Sequence, residues 1–328
     1  MLPENKKKKK VLVTGIRGFV GTNLLNYLES EPQIAISGTS RSKSSIEHLV
    51  DKGVDTYSFD DIFEKQLSFN TYVHLSGKVF DLDEKGKDSE YFEANYENTK
   101  RLFNYFLKDP QAKKFIFLST IHVLAEIPEK VLDEDYIPKP FTPYGKSKLM
   151  AEEFLLKQNV EGKKVYVLRP AMIHGPGNKG NLNLLFHLVN KGIPYPLGSI
   201  NNKRSFVSVD NLSFIIKEII SEEIDSGLYH IADDNATYTH ELIELMAREL
   251  NKKVRIWNIS PIILRAGAKI GNFIPLPLNE HRLNKLTGDF LVSNNKIKRA
   301  IGKDLPVKSM DGLEKTISSL KSNLDSNT

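Results

Sequence analysis

Two residues in the middle of the chain are spaced so that they could move a proton together. Tyr144 and Lys148 lie four positions apart, in a segment predicted to be a helix from about residue 143 to 158. Residues at this spacing share one helical face, so the phenol and the ammonium would be neighbours. A phenol titrates near pH ~10 in water and needs a nearby cation to ionise at neutral pH. The pair is a candidate acid–base centre, although the same spacing also occurs in ordinary surface pairs.

A glycine-rich turn near the N-terminus could hold a dinucleotide. Gly15, Gly18 and Gly21 follow a short apolar strand and precede an amphipathic helix that begins near Phe19. Glycine allows the tight turn, the close approach of a pyrophosphate and the packing of helix on strand that such a site needs. Free amides and the dipole at the helix start favour an anion. Glycine triplets alone are weak evidence, but this one has the required strand before it and helix after it.

A third group of residues is predicted to reach the same place. Ser119 and Thr120 follow the apolar run 115–118, which reads as a buried strand. Ligands of open parallel sheets bind beyond the carboxyl ends of the strands. The hydroxyl of Thr120 is therefore expected near Tyr144, and the combination indicates oxidoreductase chemistry.

Strands and helices alternate in the manner of a doubly wound fold. The fold class is predicted to be α/β, a Rossmann-type parallel sheet with a smaller, interleaved C-terminal substrate lobe. Residues 8–170 and a return segment at about 204–231 would form the dinucleotide-binding domain, and 171–203 with 232–328 the lobe. Strands are predicted at 10–14, 34–39, 55–59, 71–75, 114–119 and 165–169, and helices at 19–29, 44–52, 88–107, 144–158 and 182–190.

With these motifs the chain resembles the extended short-chain dehydrogenase/reductases, in the branch of sugar-nucleotide epimerases and dehydratases. The resemblance covers about residues 10–320. It rests on the glycine triplet, Ser119-Thr120, the Tyr144/Lys148 pair and several further motifs: His74-Leu75-Ser76-Gly77, Asn95, Leu168-Arg169-Pro170, His174-Gly175-Pro176-Gly177 and the run from Arg204 to Asn211.

The resemblance implies a role for each matching residue. Thr120 would hydrogen-bond the reacting oxygen, Tyr144 would exchange its proton, and Lys148 would tune Tyr144 and hold the nicotinamide ribose. The cofactor would be contacted by residues in the strand-end loops: Gly15, Gly18, Phe19, Val20, Gly21, Ser40, Arg41, Asp61, Ile62, Leu75, Ser76, Gly77, Asn95, Tyr144, Lys148 and Pro170.

The end of the second strand bears on which nicotinamide cofactor is used. An NAD-specific site usually has an acid there for the adenosine ribose. This chain has Ser40 and Arg41 instead, which suit a 2′-phosphate and favour NADP(H) over NAD(H). Arg41 could equally stack on the adenine with either cofactor. Asp61 is expected near the adenine amino group, with Asp60 as a close alternative.

The resemblance leaves two reactions open and disfavours a third. Sugar dehydratases have an acidic pair directly after the catalytic threonine, where this chain has Ile121 and His122. A 4-keto reductase and a 4-epimerase both use the predicted catalytic trio. Residues 174–181, 196–198 and 202–205 resemble bacterial enzymes of O-antigen and capsule synthesis. The missing acid after the second strand favours the 4-keto reductase, with a UDP-sugar 4-epimerase that retains NAD as the alternative.

The expected substrate is a nucleotide-diphosphate sugar, with UDP as the favoured nucleotide. By the resemblance, Arg204 matches the family arginine that binds the diphosphate. A planar guanidinium suits this role, because it can donate two parallel hydrogen bonds to phosphate oxygens. Arg282 is a second candidate clamp, with a surface position as the alternative. Asn181 and Leu182 are expected at the base, and Lys78 beside the sugar.

Composition narrows the class of protein. A chain of 328 residues with 40% hydrophobic residues suits one α/β unit with a smaller lobe. Having no cysteine, it can form no disulfide or thiolate metal site, and no metal is expected. We expect no signal peptide, no membrane span and a cytoplasmic location. The net charge of +5 equals the contribution of the lysines at 6–10, and nucleic-acid binding is not expected.

Three further expectations concern partners. The amphipathic stretch 261–274 could contact a membrane surface, although such a helix more often packs on its own lobe. By the resemblance, helices 88–107 and 144–158 are expected to form a homodimer, with these apolar candidates: Leu102, Phe103, Phe106, Phe154 and Leu155. A remote alternative is a cofactor-sensing or scaffold protein without catalysis.

Overall fold

The computed structural model describes residues 8–40, 53–79, 87–178, 180–270 and 279–325. Arg41, the helix predicted at 44–52 and the end of the amphipathic stretch, 271–274, lie outside these ranges. In the described part the strands are β1 (Lys9–Thr14), β2 (Ile34–Thr39), β3 (Asp55–Tyr57), β4 (Thr71–His74), β5 (Lys114–Leu118), β6 (Lys164–Pro170), β7 (Met172–His174), β8 (Lys203–Arg204), β9 (Phe206–Ser208), β10 (Gly227–Ile231) and β11 (Thr237–Tyr238).

The helices of the same ranges alternate with these strands in the first half of the chain and dominate the second half. They are α1 (Phe19–Leu28), α2 (Asp61–Glu64), α3 (Asp88–Phe92), α4 (Asn98–Lys108), α5 (Pro143–Leu156), α6 (Asn181–Asn190), α7 (Val209–Ser221), α8 (Thr239–Glu249), α9 (Pro261–Ile270), α10 (Glu280–Thr287), α11 (Asn295–Ile301) and α12 (Ser309–Asp325).

The central sheet has seven parallel strands in the order β10-β6-β5-β4-β1-β2-β3. Its inner strands are continuous apolar runs because helices cover both faces. β1 pairs with β2 on one side and with β4 on the other, so the strand order reverses at β1. A doubly wound sheet opens a crevice at this point, beyond the carboxyl ends of the strands. The predicted Rossmann-type fold is confirmed.

Alternate residues of the strands feed two separate cores. Val11 and Val13 pack with α1 and α7, whereas Leu12 faces the aromatic core under α4 and α5. Four of the residues considered for a dimer contact lie in this second core and are fully buried: Leu102, Phe103, Phe106 and Leu155. Those four side chains are therefore not available for a dimer contact, because the apolar stripe of each helix packs against the sheet, and the dimer itself stays a prediction. Phe154, also in contact with this core, is only half-buried.

The helix predicted over 88–107 is present, and it contains one irregular turn. Residues Glu93–Glu97 form a π-helical turn between α3 and α4, so helical turns continue without a break from Asp88 to Lys108. Apolar periodicity does not reveal one extra residue in a turn, since the buried side chains on either side remain apolar.

The second half of the chain builds its own small sheets and cores. β8 pairs with β11 and β9 with β7, so the chain rejoins the central sheet only at β10. α6, α8 and α12 enclose one apolar core, and α9 and α10 enclose another. The helices that the structure describes include none with both the length and the apolar character to cross a membrane.

The close contact between β1 and α1 gives a test of the glycine turn. A Cβ on Gly21 would lie 2.3 Å from the carbonyl oxygen of Gly15, whereas a Cβ on the helical Gly267 would meet nothing within 4 Å. Gly21→Ala is expected to lower the free energy of unfolding by roughly 1–3 kcal/mol, because backbone must move. Gly267→Ala should raise it by up to about 1 kcal/mol, since alanine favours the helix.

Denaturant unfolding of both variants measures the two changes in the free energy of unfolding. Titrations with NADPH and NADH show whether the altered turn still binds a cofactor. Equal stability of the two variants would contradict the close packing inferred for Gly21.

Candidate active site

The glycine turn forms a compact loop at the end of β1. Gly15 has a φ of +68°, a left-handed conformation that favours glycine. Gly18 is the N-cap of α1 and has no side chain to occupy the first amides of that helix. Phe19 and Val20 form the first turn and are half-buried. The exposed amides and the positive end of the helix dipole make this a suitable pyrophosphate site.

The ends of β1 and β4 are joined by buried hydrogen bonds. The hydroxyl of Thr14 lies 2.7 Å from Nδ1 of His74 and accepts a hydrogen bond from the amide of Ser76 at 3.2 Å. A Cβ on Gly15 would come within 3.0 Å of the Ser76 backbone, so the two loops touch. Burial, with the Lys148 charge as a lesser cause, lowers the pKa of His74 to about 3. His74 is therefore a neutral connector at physiological pH.

Asn95 lies in the π-helical turn and connects this loop to α5. Its Oδ1 accepts from the amide of Lys78 at 2.8 Å, and Nδ2 donates to the Lys78 carbonyl at 2.9 Å and to the Ser147 hydroxyl at 3.0 Å. Both amide hydrogens are thus used within the protein. The side chain of Asn95 therefore holds the loop after β4 against α5 and has no N–H left to donate, and its contact with a cofactor stays a prediction.

Lys148 is buried at the centre of the site. Its Nζ donates to the Leu118 carbonyl at 2.9 Å and lies 4.6 Å from the centroid of the Phe117 ring. A Cβ on Gly77 would lie 2.5 Å from Oδ1 of Asn95 and 3.2 Å from the same Nζ, so a side chain at this position would crowd both groups. Burial lowers the pKa of Lys148 to about 8, and the carboxylate of Glu152 opposes the shift. The lysine stays mostly protonated at neutral pH.

The two hydroxyls after β5 point to different places. Thr120 is hydrogen-bonded to Tyr144, whereas Ser119 donates to the buried carboxylate of Glu152. Successive side chains of an extended chain face opposite ways, which separates the pair. Burial raises the pKa of Tyr144 to about 12, and the bond to Thr120 lowers it in part. Thr120 and Tyr144 therefore meet at the carboxyl end of β5, where Lys148 donates to the Leu118 carbonyl.

Behind this point lies a buried ion pair that the sequence interpretation missed. Glu152 accepts from Arg169 Nε at 3.1 and 3.0 Å, and from Nη2 at 2.5 Å. The two side chains are 1% and 5% exposed. Burial raises the pKa of Glu152, and the hydrogen bonds from Arg169 oppose the shift. One signal was available, since Glu152 follows Lys148 by four positions and would share its helical face.

The other predicted cofactor residues lie along the same edge of the sheet. Ser40 follows β2, is half-buried and donates its amide to the Tyr57 carbonyl at 3.2 Å. Asp61 begins α2, and the amide of Ser58 with Lys65 holds the pKa of its carboxyl well below the usual range. Ile62 is fully buried next to it. Leu75 is half-buried in the loop after β4, and Pro170 is buried at the end of β6.

Together these residues fit a nicotinamide dinucleotide. The loop at Gly15 and the amides of α1 would hold the pyrophosphate, and Asp61 lies on the side where the adenine would lie. Gly77 and Lys148 would hold the nicotinamide end, next to Tyr144. The second lobe closes over this region, since the Phe19 ring would lie 3.6 Å from a Cβ on Gly175.

The predicted substrate residues are more scattered. Arg204 donates through Nη2 to the Lys285 and Leu286 carbonyls, and within the described ranges its other N–H groups have no hydrogen bond. Arg282 is exposed on α10, three residues before Lys285. Lys78 forms an ion pair with Glu90, which ties it to α3.

The expected base shelf is only partly accessible. Leu182 is 3% exposed within the lobe core, so its side chain is not on a substrate surface, and only its backbone could contact a base. The side chain of Asn181 lies outside the described part, and its backbone begins α6. His122 is a residue to which the sequence analysis assigned no role. The centroid of its ring is 5.8 Å from that of Phe290. Burial is the largest cause that lowers the pKa of His122, and the charges of Lys285 and Arg204 lower it further.

The fold and the site define a dinucleotide-binding oxidoreductase with a tyrosine–lysine centre. The profile of the NAD dependent epimerase/dehydratase family matches residues 11–232, and the chain belongs to that family. It is therefore a nicotinamide-dependent enzyme of the sugar-nucleotide type, as the motifs predicted.

Known proteins give three comparisons. A UDP-glucose 4-epimerase of Vibrio cholerae is 30% identical over 330 residues, which cover 95% of this chain and 96% of the relative. A GDP-6-deoxy-D-mannose reductase of Pseudomonas aeruginosa is 25% identical over 73% of this chain and 79% of the relative. The UDP-glucuronic acid 4-epimerase of Bacillus cereus, solved with NAD, has a TM-score of 0.74 at 18% identity, over 96% of this chain and 99% of that chain.

The buried pair can be tested by removing one charge. Glu152→Gln leaves the guanidinium of Arg169 buried without a counter-charge, and we expect the free energy of unfolding to fall by roughly 3–5 kcal/mol. Glu153→Gln is the matched control, because Glu153 is exposed and, among the residues that the structure describes, is ion-paired only with Lys157, at 3.5 Å. Its effect should be below about 0.5 kcal/mol. Urea denaturation measures the free energy of unfolding of both variants. Similar losses of stability in the two would show that the buried pair stabilises the fold no more than the exposed pair does.

Proposed function

We propose that this protein transfers hydride at C4 of a nucleotide-diphosphate sugar. The observation that carries the proposal is the hydrogen bond between Thr120 and Tyr144 at the end of β5, where Lys148 donates to the Leu118 carbonyl and lies against the Gly77 loop. A bound nicotinamide would supply the hydride chemistry. The protein's own groups would position the sugar and move the proton of its C4 oxygen.

The proton chemistry follows from burial. Burial makes the phenol of Tyr144 resist ionisation, as its pKa of about 12 indicates, and the hydrogen bond with Thr120 opposes this in part. The ammonium of Lys148 would favour the phenolate further. Tyr144 would then take the C4 hydroxyl proton during oxidation or give a proton to the C4 oxygen during reduction. The hydroxyl of Thr120 would hold that oxygen in place.

Two forms of this reaction have support. The described end of β2 offers Ser40 and no acid, which favours NADP(H) and a one-way 4-keto reductase, and a related GDP-sugar reductase agrees with that form. A UDP-sugar 4-epimerase with retained NAD is the second candidate. It is favoured by the relative whose match extends over 95% of this chain.

The substrate proposal rests mainly on Arg204. Its guanidinium is anchored by the carbonyls at the end of α10 and keeps further N–H groups for a diphosphate. UDP is the proposed nucleotide, because the 30% identical relative acts on a UDP-sugar. Arg282 and Lys78 would contact the substrate only if their exposed ends turn toward the cleft, and Asn181 would lie near the base.

The wider setting follows from this chemistry. Nucleotide sugars and nicotinamide cofactors are cytoplasmic metabolites, so the proposed reaction would occur in the cytoplasm. The proposed role in surface-polysaccharide synthesis rests on the resemblance of residues 174–181, 196–198 and 202–205 to enzymes of O-antigen and capsule synthesis. A homodimer through the outer side of α5 is part of the proposal. Met150 and Leu156 expose apolar surface there, at 42% and 45%.

Replacing Tyr144 tests the reaction and also the non-catalytic alternative. Tyr144→Phe removes only the hydroxyl, so NADPH and NADH should bind with unchanged affinity while turnover falls by roughly 10²–10⁴-fold. Tyr105→Phe, which removes a hydroxyl bonded to the Leu67 carbonyl far from the site, should keep full activity. Cofactor binding with unaltered turnover in the Tyr144 variant would refute the proposed mechanism.

Cofactor retention separates the two forms. Freshly purified protein is denatured and its released nucleotides are identified by mass spectrometry, and the native protein is titrated with NADPH and NADH. Stoichiometric retained NAD is expected of a 4-epimerase. An empty site that binds NADPH more tightly is expected of the reductase, which would then be assayed with 4-keto sugar nucleotides. Failure to bind either cofactor would contradict both forms.

A further inference from the structure

The second lobe presents a surface that is both basic and apolar. No aspartate or glutamate occurs between Glu249 and Glu280, whereas this stretch contains five cationic residues: Lys252, Lys253, Arg255, Arg265 and Lys269. The described part of the stretch, residues 250–270, also exposes several large apolar side chains. We call the exposed side chains of residues 252–269 the basic apolar face.

Helix α9 is the most regular part of this face. Leu264 and Ala268 point inward, into the core shared with α10. On the opposite side, Ile262 and Ile263 are 79% and 64% exposed. Ile262, Ala266 and Lys269 follow the spacing of one helical face, so an isoleucine and an ammonium are presented together.

Trp257 extends the face beyond the helix. It is the only tryptophan of the chain and is 57% exposed. Its backbone is fixed, because its amide donates to the Tyr195 carbonyl at 2.8 Å and its carbonyl accepts from Gly198 at 3.0 Å. Trp257 and Ile262 are five positions apart in the chain, so their Cα atoms are within about 18 Å.

We propose that the basic apolar face binds the surface of an anionic lipid bilayer. Ile262, Ile263 and the Trp257 ring would enter the boundary between headgroups and acyl chains, and the cations would contact the phosphates. A second copy of the chain is a poorer occupant, because it would bring five like charges against five. Nucleic acid would satisfy the cations but leave the isoleucines in water. This inference adds a location to the enzyme and does not depend on the reaction proposed for its cleft.

Trp257 provides the readout. The protein is titrated with vesicles of phosphatidylcholine alone and of phosphatidylcholine mixed with phosphatidylglycerol, and binding is followed by tryptophan emission and by co-sedimentation. We expect emission to shift to shorter wavelength only with the anionic vesicles, and binding to weaken as salt is raised.

Three variants that keep Trp257 sharpen the test. Ile262→Asp combined with Ile263→Asp should weaken vesicle binding by roughly tenfold or more, and Lys269→Gln by roughly fivefold. Ile137→Asp is the matched control, since Ile137 is 82% exposed but far along the chain from this face. It should bind vesicles like the unaltered protein.

The possible results separate the occupants. Anionic-selective binding that is lost in the double variant and kept in the control supports the proposal. Absence of binding, equal binding to neutral vesicles, or equal loss in the Ile137 control would overturn it. A tryptophan shift that depends on protein concentration without vesicles would instead identify a second copy as the occupant, and would also overturn it. Because none of these readouts needs turnover, failure of the proposed reaction would leave the result unaffected.

Discussion

Burial of one positive charge beside a phenol is the constraint on which the site depends. An ammonium out of water is costly unless polar groups surround it, and Lys148 has a carbonyl, an aromatic face and a carboxylate at longer range. That carboxylate, Glu152, is itself buried and is neutralised by Arg169. The buried charge of Lys148 is therefore maintained by an ordered set of groups extending from α5 to β6.

The second requirement is that hydrogen bonds hold together loops that follow different strands. Thr14 and His74 join the ends of β1 and β4, and Asn95 joins the loop after β4 to α5. Each is fully buried and makes its hydrogen bonds inside the protein. The glycine turn and the tyrosine–lysine centre are far apart in the chain, yet these short polar connections make them one site. Positions that look like cofactor contacts in the sequence can thus act as the framework of the site.

Sequence patterns predicted the sheet because its strands are buried on both faces and read as apolar runs with fixed spacing. They also predicted that Thr120 and Tyr144 would lie together, since helix spacing and strand ends determine which residues can meet. Three features were beyond reach for physical reasons. The π-helical turn leaves the apolar pattern unchanged, the contact of Ser119 with Glu152 depends on how α5 packs beside β5, and the inward direction of Leu102 and Phe106 depends on packing rather than on composition.

The π-helical turn has a consequence for the evolution of the chain. One residue more than a regular helix requires rotates everything after it by about 100° relative to an uninterrupted helix. Deleting one residue from Glu93–Glu97 would restore regular α-helical geometry and keep the buried stripes of both flanking helices in place, but it would remove the wide turn from which Asn95 reaches Ser147. A deletion at this turn should therefore be tolerated by the packing of α4 on the sheet and be felt at the hydrogen bonds of Asn95 in the site.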